Sequence, residues 1–312
     1  MVMTLPKITP TQGHTAPLAP SAEEITFEVQ RRLYIFALPL MWLLIAWVRL
    51  KKALLGHKPE TNTFWFDGLS PACRGIKEGA ASWRALSIIQ NHLFGHDGRV
   101  TDFWLGMRNA QAVRNRRKLV TWFIANHLSS FARKECIRML SLASGSAQSV
   151  IEALAMLKER GLEAEAVLVD TDQTALNHSK ELAAKYGVQE RITLLKLDIR
   201  DLLRLGHSLD SYGKFHIVEV VGWLEYDKNK RIESLFRSIR SLLVQDGILI
   251  TSTINSNPER WFLHWVIDWE MIYRSKEVLS GLLKDSGFPE EAQDIVTEPQ
   301  GIFHVAVARN AL

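Results

Sequence analysis

Cysteine is scarce in this chain of 312 residues, which contains only Cys73 and Cys136, far apart in sequence. Zinc sites and disulfide frameworks need more numerous or closely spaced cysteines, so neither is expected and no metal site is predicted. Two isolated thiols are typical of a protein from a reducing compartment. An excess of one charge is also lacking, because 38 Lys and Arg stand against 34 Asp and Glu. A net charge of only +4 gives no indication of a nucleic-acid partner.

The composition is that of a globular protein, with 47% apolar and 23% charged residues. The length suits one large domain with appendages, or two domains. Residues 1–30, which begin with a stretch rich in Pro, Thr and Gly, are predicted to form a disordered tail. Residues 31–56 carry an apolar helix, residues 57–135 show helical patterns, and residues 136–312 form the main folded domain.

The longest apolar run, Leu33 to Val48, contains no charged residue and has Trp47 near one end. It is somewhat shorter than the roughly 20 residues that span a bilayer core, although snorkelling arginines could extend it. Two interpretations stay open. The first is a membrane anchor over residues 33–48, spanning or interfacial, with tryptophan at the interface. The second is a buried helix that docks on the folded domain or on a partner subunit.

Basic residues follow the apolar run and bear on its orientation. They are Arg49, Lys51, Lys52 and Lys58. If the helix spans, they place the C-terminal side in the cytoplasm. We therefore predict a membrane-associated protein with a cytoplasmic folded domain, and the sequence gives no indication of its oligomeric state.

Strand and helix patterns alternate from residue 136 onwards. The strand candidates are 137–143, 165–169, 192–197, 215–221 and 247–253, and the helix candidates are 146–160, 173–186, 199–206 and 228–244. Continuous apolar strands that alternate with helices predict an α/β fold with a doubly wound parallel sheet. Residues 294–297 and 302–308 predict a terminal antiparallel hairpin.

The first predicted strand runs into a turn of small residues, Ser141 to Ala147, which opens a helix. Small side chains allow backbone N–H groups to approach a ligand at the positive end of a helix. The second strand ends in Asp170, where an acid is placed to accept hydrogen bonds from ribose hydroxyls. The turn and the acid together indicate a cofactor that contains a nucleoside.

This layout resembles the class I S-adenosylmethionine-dependent methyltransferases, whose Rossmann-like sheet has seven strands with the last one inserted antiparallel. The resemblance covers about residues 110–312 and implies S-adenosyl-L-methionine as the cofactor. The family's turn carries three glycines, and the matching residues here are Ala143, Gly145 and Ala147. An acid that contacts the methionine amine in the family is matched here by Ser141.

The resemblance also assigns contacts at the ends of the other strands. It implies that Asp170 binds the ribose, that Asp198 binds the adenine amino group and that Ile199 stacks on the adenine ring. The tip of the fourth strand, at Val221 and Gly222, faces the sulfonium and the acceptor. The implied cofactor-binding residues are Ser141, Ala143, Ser144, Gly145, Asp170, Thr171, Asp198, Ile199, Val221 and Gly222.

The serine at position 141, the small-residue turn and the segment Asn257 to Trp261 resemble a narrower bacterial group. Its members are related to enzymes that form the methyl ester of a hydroxylated fatty acid. Aromatic side chains recur at Trp261, Trp265 and Trp269, as core packing or as the wall of an acceptor pocket. With the apolar run, they predict a small or lipid-like acceptor, such as a fatty-acyl carboxylate or a hydroxyl, at a membrane surface.

A carboxylate acceptor would need no general base, whereas a hydroxyl acceptor would. The candidates for a base are Glu219, His216, His264 and Tyr226. Glu219 lies within an apolar strand, where a carboxylate is costly unless it is paired, so it is either functional or satisfied by a partner. A helix predicted over 109–131 has a basic start with Arg114, Arg116, Arg117 and Lys118. These charges could contact an anionic lipid or substrate, but a solvated helix face is the favoured interpretation.

Two other functions remain open. A nicotinamide-dependent oxidoreductase would use the same sheet, but its third glycine position would be Gln148, which would crowd the contact between helix and strand. A non-catalytic, membrane-attached protein with a degenerate methyltransferase fold would fit the loss of the acid and of two glycines. Binding of S-adenosylmethionine discriminates among the three.

Overall fold

The computed structural model describes residues 25–29, 34–57, 64–128, 136–201, 209 and 212–311. Residues 1–24 of the tail predicted over 1–30 lie outside the described residues, and so do residues 30–33 and most of the short helix predicted at 199–206.

Seven strands form a single sheet within the described part of the chain. They are β1 (Ile137–Leu142), β2 (Ala164–Asp170), β3 (Ile192–Lys196), β4 (Phe215–Val220), β5 (Leu243–Ile254), β6 (Gln293–Thr297) and β7 (Phe303–Arg309). Their order is β3-β2-β1-β4-β5-β7-β6. Strands β1 to β5 are parallel, whereas β7 lies antiparallel between β5 and β6. The predicted doubly wound sheet and terminal hairpin are confirmed.

The helices lie before the sheet in sequence and between its strands. They are α1 (Tyr34–Leu55), α2 (Pro71–Glu78), α3 (Trp83–Gln90), α4 (Arg99–Leu105), α5 (Arg108–Leu128), α6 (Gln148–Glu159), α7 (Gln173–Lys185), α8 (Asn229–Leu242) and α9 (Lys276–Asp285). The carboxylate of Asp172 caps α7 by accepting a hydrogen bond of 2.8 Å from the Thr174 N–H. Gly187 follows this helix with φ +67°, which ends it as the sequence predicts.

Side chains alternate between the two faces of the sheet and build two apolar clusters. Met139 of β1 packs with side chains of α5 and α6, whereas Leu140 packs on the opposite face with side chains of α8 and α9. A third cluster contains apolar side chains from the five helices α1 through α5, from residues 254–269 and from the start of β7. This third cluster places the N-terminal helices beside the carboxyl ends of the central strands.

Residues 25–29 were predicted to belong to the disordered tail, but they lie against α5. The Glu28 N–H donates to Asn115 Oδ1 at 2.8 Å, and Asn115 Nδ2 donates back to the Glu28 carbonyl at 3.0 Å. Arg114 Nε donates to Glu28 Oε2 at 2.8 Å, and Phe27 is buried in the core. The prediction was wrong for these residues because paired backbone groups and a buried ring offset the cost of ordering them.

The predicted solvated face of α5 is also wrong at two positions. Arg114 and Arg116 are both buried. Arg116 lies three and four residues from Val113, Leu119 and Val120, which are buried too. These spacings put the guanidinium on the apolar face of the helix.

Helix α1 contains the apolar run, and its inner face packs on the helical turns at residues 260–267. Met41, Leu44 and Val48 are buried there. Among the described residues, no helix has both the length and the apolar character needed to cross a membrane. The spanning anchor predicted over 33–48 is therefore not supported, and the docking interpretation describes this inner face.

The three tryptophans Trp261, Trp265 and Trp269 do not lie on one helix. Helical turns at residues 260–267 end at Asp268, whose φ of +68° is left-handed, and α9 begins only at Lys276. Trp269 is consequently buried, Trp261 is exposed, and Trp265 lies partly buried beneath the cations of α1. The three tryptophans thus serve different surfaces.

Candidate functional site

The strand order reverses between β1 and β4, because β1 leads outwards to β2 and β3 and the chain then returns to β4 on the other side. Ligands of open α/β sheets bind outside the carboxyl ends of the strands at such a point. Ser141 near the end of β1 and Glu219 near the end of β4 are register partners here. The crevice predicted from the sequence therefore lies at the expected edge of the sheet.

The turn after β1 keeps the backbone conformation of a glycine-rich turn although it has only one glycine. Ala143, Gly145 and Ala147 have φ of +50°, +53° and +48°, all in the left-handed region. These are the residues that the resemblance matches to the three glycines. The Ser144 hydroxyl oxygen in the same turn is buried and has no hydrogen-bond partner within the described part of the chain. The turn thus offers an unused polar atom at the place where a ligand would lie.

Asp170 at the end of β2 points into the same turn. Its Oδ2 accepts a hydrogen bond from the Gly145 N–H at 2.8 Å, and its Oδ1 accepts one from the Asp172 N–H at 2.9 Å. Each carboxylate oxygen has a second lone pair, so ribose hydroxyls can still donate to it. Thr171, which lies beside Asp170, is exposed.

Trp83, the first residue of α3, packs against the turn after β1. A Cβ atom at Gly145 would lie 3.4 Å from Trp83 Cβ. The Trp83 indole donates to Asp172 Oδ2 at 3.1 Å and stacks on His178 with a ring separation of 4.6 Å. Sequence analysis missed this contact, because nothing in the pattern of α3 indicates which element it covers.

The adenine-binding residues implied by the resemblance are partly engaged by other groups. The guanidinium of Arg200 pairs with the carboxylate of Asp198, with Nε 2.9 Å from Oδ2, and the Arg200 N–H donates to Oδ1 at 2.8 Å. Ile199 is buried in the apolar cluster that includes Leu142 and Val169. The roles of Asp198 and Ile199 stay predictions, and a cofactor would have to displace the exposed Arg200 side chain.

Glu219 is buried, and its Oε2 accepts a hydrogen bond of 2.5 Å from the Ser141 hydroxyl. Burial raises the pKa of Glu219 to about 7, although Ser141, the Arg116 charge and the Val221 N–H oppose the shift. A carboxylate therefore lies next to the position where the family has its acid on β1. It comes from the neighbouring strand.

An apolar cavity lies beyond the tip of β4, between the N-terminal helices and residues 254–271. Its aromatic lining residues are Phe66, Trp104, Tyr226, Phe262, Trp269 and Phe303. Gly222, with φ +85°, borders the cavity at the sheet, and a Cβ atom there would lie 3.6 Å from Arg116 Nη2. The cavity therefore begins where the end of β4 faces the crevice.

Comparison with known proteins gives the family. The model of a family described as "Putative methyltransferase" matches residues 75–310. The chain belongs to this family. Its sheet order, with β7 inserted antiparallel, identifies it as a class I S-adenosylmethionine-dependent methyltransferase, as the resemblance implies. No curated protein matches the sequence.

Solved structures share the fold of this methyltransferase at low identity. A "possible exported protein" from Bordetella parapertussis is 17% identical with a TM-score of 0.64, over 90% of this chain and 98% of that chain. An O-methyltransferase family protein from Burkholderia thailandensis is 16% identical with a TM-score of 0.51, over 77% and 71%.

The residues of the crevice fit S-adenosyl-L-methionine. The turn of small residues is left-handed, the Ser144 hydroxyl has no hydrogen-bond partner among the described residues, and Asp170 faces the turn. Val221 and Gly222 are partly exposed at the tip of β4, and Gly222 lines the cavity. Family membership and this arrangement favour the methyltransferase over a nicotinamide-dependent oxidoreductase.

The predicted bases of the methyltransferase lie at different distances from the cavity. Tyr226 lines it, but desolvation raises the Tyr226 pKa to about 12, and its hydroxyl accepts a hydrogen bond of 2.7 Å from Trp269 Nε1. His264 lies between Trp261 and Trp265 and does not line the cavity. These positions make both residues weak candidates.

His216 lies at the amino end of β4, where its Nδ1 accepts the Arg138 N–H at 3.1 Å. It is thus at the wrong end of the strand for methyl transfer, because the crevice lies at the carboxyl end. Within the described residues, no group of His, Cys, Asp and Glu side chains could hold a metal ion.

Proposed function

We propose that this methyltransferase transfers the methyl group of S-adenosyl-L-methionine to a lipophilic small molecule. The observation that carries the proposal is the cavity at the tip of β4, whose walls are mostly aliphatic and aromatic. Apolar walls with few polar groups suit a largely hydrophobic ligand whose reacting group is oriented by those polar groups. A fatty-acyl chain or an alkylated ring has this character.

The cofactor supplies its methyl group as a sulfonium, so the leaving group is neutral and needs no acid. The protein therefore acts by positioning the two substrates and by excluding water from the cavity. In this proposal Asp170 holds the ribose and Ser144 bonds to the ligand from the turn. Glu219 supplies the negative charge that Ser141 lacks, and its carboxylate faces the ammonium of the methionine part. The pKa of Glu219, about 7, would fall once that cation binds.

We also infer that the outer face of α1 touches a membrane surface. Its apolar residues Trp42, Leu43, Trp47, Leu50 and Leu54 are exposed, with Leu43 at 68% and Leu54 at 76%. Lys52 and Arg49 lie along the helix with their cations over the Trp265 ring. An exposed stripe of Trp and Leu next to basic residues is typical of helices that lie in the bilayer interface.

Flotation with vesicles of anionic phospholipid tests this location. We expect the full chain to float with the vesicles and the double variant Trp42→Ser, Trp47→Ser to remain at the bottom. Both side chains are about half exposed, so the variant should keep its fold. A wild-type protein that fails to float, or that forms a dimer lost in the variant, would show that another surface covers this face.

Calorimetric titration with S-adenosylmethionine and with a nicotinamide dinucleotide tests the cofactor. Methyl transfer is then measured with tritiated S-adenosylmethionine and extracted lipids or polar metabolites as separate acceptor pools. We expect binding of S-adenosylmethionine alone and label in the lipid pool. Binding without transfer to either pool would favour the non-catalytic alternative, and label only in polar metabolites would contradict a lipophilic acceptor.

A further inference from the structure

Two oppositely charged side chains lie together in the wall of the apolar cavity. Arg116 comes from α5, and Glu225 comes from the helical turn at Leu224–Tyr226, just after β4. Arg116 is 4% exposed and Glu225 is 3% exposed. The closest approach of the pair is 3.8 Å, between Arg116 Nη1 and Glu225 Oε1. This separation is too long for a direct hydrogen bond.

Neither side chain is satisfied by other described residues. Both carboxylate oxygens of Glu225 are buried without a hydrogen-bond partner. The guanidinium of Arg116 lies 4.3 Å from the centre of the Phe303 ring, and its one ion pair among described residues is the long one with Glu225. A buried guanidinium and a buried carboxylate without hydrogen bonds are both costly, so their position requires an explanation.

Another buried carboxylate of the same cavity wall is fully engaged. Glu259 accepts hydrogen bonds from the N–H groups of Arg108 and Asn109, at 3.0 Å and 2.9 Å, and it thereby caps the first turn of α5. It also accepts one from Asn109 Nδ2. Glu259 therefore has a structural task, whereas the polar atoms of Arg116 and Glu225 remain available to a ligand.

We propose, on the basis of the function proposed above, that Arg116 and Glu225 bind the hydroxyl group of the acceptor and that Glu225 removes its proton. Arg116 donates a hydrogen bond to the hydroxyl oxygen, and Glu225 accepts the hydroxyl proton. The oxygen then forms a bond to the methyl carbon as the carbon–sulfur bond breaks. The products are a methyl ether, the neutral thioether and a protonated Glu225.

The surrounding charges favour a hydroxyl over other acceptor groups. Arg116 interacts with the carboxylates of Glu219, Glu225 and Glu298, so an acceptor carboxylate would add further negative charge. A protonated amine would be repelled by the guanidinium. A hydroxyl is neutral, accepts one hydrogen bond and donates one, as this pair requires.

The electrostatics of Glu225 suit a proton acceptor. Burial raises the pKa of Glu225, opposed by the charge of Arg116, by the N–H of Glu225 itself and by the charge of Arg274, and a higher pKa makes the carboxylate a stronger base. Of the predicted bases, Tyr226 lies next to it in sequence, but its raised pKa holds it in the neutral form.

A matched series of ligands tests the proposal on the full chain. Para-octylphenol, para-octylbenzoic acid, para-octylbenzylamine and octylbenzene share one octyl-substituted ring, and the first three add a hydroxyl, a carboxylate and a protonated amine. Calorimetric binding is measured with S-adenosylhomocysteine present, and transfer is measured with tritiated S-adenosylmethionine. We expect para-octylphenol to bind about tenfold more tightly than octylbenzene, because it satisfies two buried groups, and to be the best methyl acceptor.

Two variants separate binding from proton removal. Glu225→Gln should still bind para-octylphenol but transfer methyl at least about 100-fold more slowly. Arg116→Met should abolish the preference for the phenol over octylbenzene. The control is Glu152→Gln, at a carboxylate outside the cavity that pairs with Arg117, which should lower the melting temperature while leaving that preference unchanged.

The outcomes distinguish this proposal from the more general function. Equal binding of para-octylphenol and octylbenzene, tighter binding of the benzoic acid, or unchanged transfer by Glu225→Gln would each overturn the role of the pair. The cavity and the cofactor would then stand, provided that S-adenosylhomocysteine still binds. Failure of every ligand in the series to bind would overturn both the pair and the acceptor cavity.

Discussion

Two alanines in the turn after β1 adopt a left-handed backbone conformation, and the cost of this conformation can be measured as a change in the free energy of unfolding. Ala143 has φ +50°, a conformation that costs an L-residue about 1–2 kcal/mol. Glycine removes that cost but gains freedom in the unfolded chain, worth about 0.4–1 kcal/mol. Because Ala143 is only partly buried, we expect Ala143→Gly to raise the free energy of unfolding by about 0.5–1 kcal/mol.

Ala147 should respond differently although its φ is +48°. Its methyl group belongs to the buried cluster that includes Val150 and Ile151. Loss of one buried methyl group costs about 0.8 kcal/mol, which cancels the relief of backbone strain. We therefore expect Ala147→Gly to be close to neutral.

Thermal unfolding of the ligand-free chain measures both effects. A gain of this size raises the melting temperature by about 1–3 °C. The control is Ala184→Gly, at an exposed position of α7, where glycine should lower the melting temperature because it weakens a helix. A melting temperature for Ala143→Gly that falls below wild type, or falls as far as that of the control, would refute the argument.

Three further predictions concern the site. Asp170→Ala should weaken S-adenosylmethionine binding at least about tenfold, because it removes the ribose acceptor and frees the Gly145 N–H, and calorimetry measures it. The folded-state pKa of Glu219 is raised from 4.5 to about 7, so its contribution to stability is full below pH 4.5 and is lost as the pH rises through 7; urea unfolding should show this loss in the wild type and not in Glu219→Gln. Tyr226→Phe should keep kcat within about threefold of wild type, because a pKa of about 12 excludes it as a base; a loss of about 100-fold would make Tyr226 a participant instead.

The sheet could be predicted because its signals are local. Continuous apolar strands, glycines after helices and a small-residue turn at Ser141–Ala147 each report on a few neighbouring residues. The turn itself was predicted through the resemblance, whereas the left-handed backbone at its two alanines is a finding of the structure. The surrounding fold imposes the positive φ at Ala143 and Ala147, and the chain bears the cost in conformational energy.

The apolar cavity could be predicted only at Trp269, which the sequence offered as one candidate for a pocket wall, because its other walls come from segments far apart in sequence. Met41, Trp104 and Trp269 meet only after the N-terminal helices dock on the sheet. Arg116 has a sequence signal, since buried residues lie three and four positions away on both sides, but neighbouring basic residues obscured it. Glu225 has none, because its burial depends on Arg274 and on the chain that follows residue 254.

The first helix belongs at once to the cavity and to the exterior. Met41 forms part of the inner wall, while Trp42 and Leu43 are its immediate neighbours on the outside. Deletion of α1 would therefore not test membrane contact alone, since it would remove both the exposed outer face and one wall of the cavity. Single substitutions on the outer face of α1 can separate an effect on membrane binding from an effect on the choice of acceptor. If a bilayer does cover that face, a hydrophobic substrate could pass along this helix into the cavity without entering bulk water.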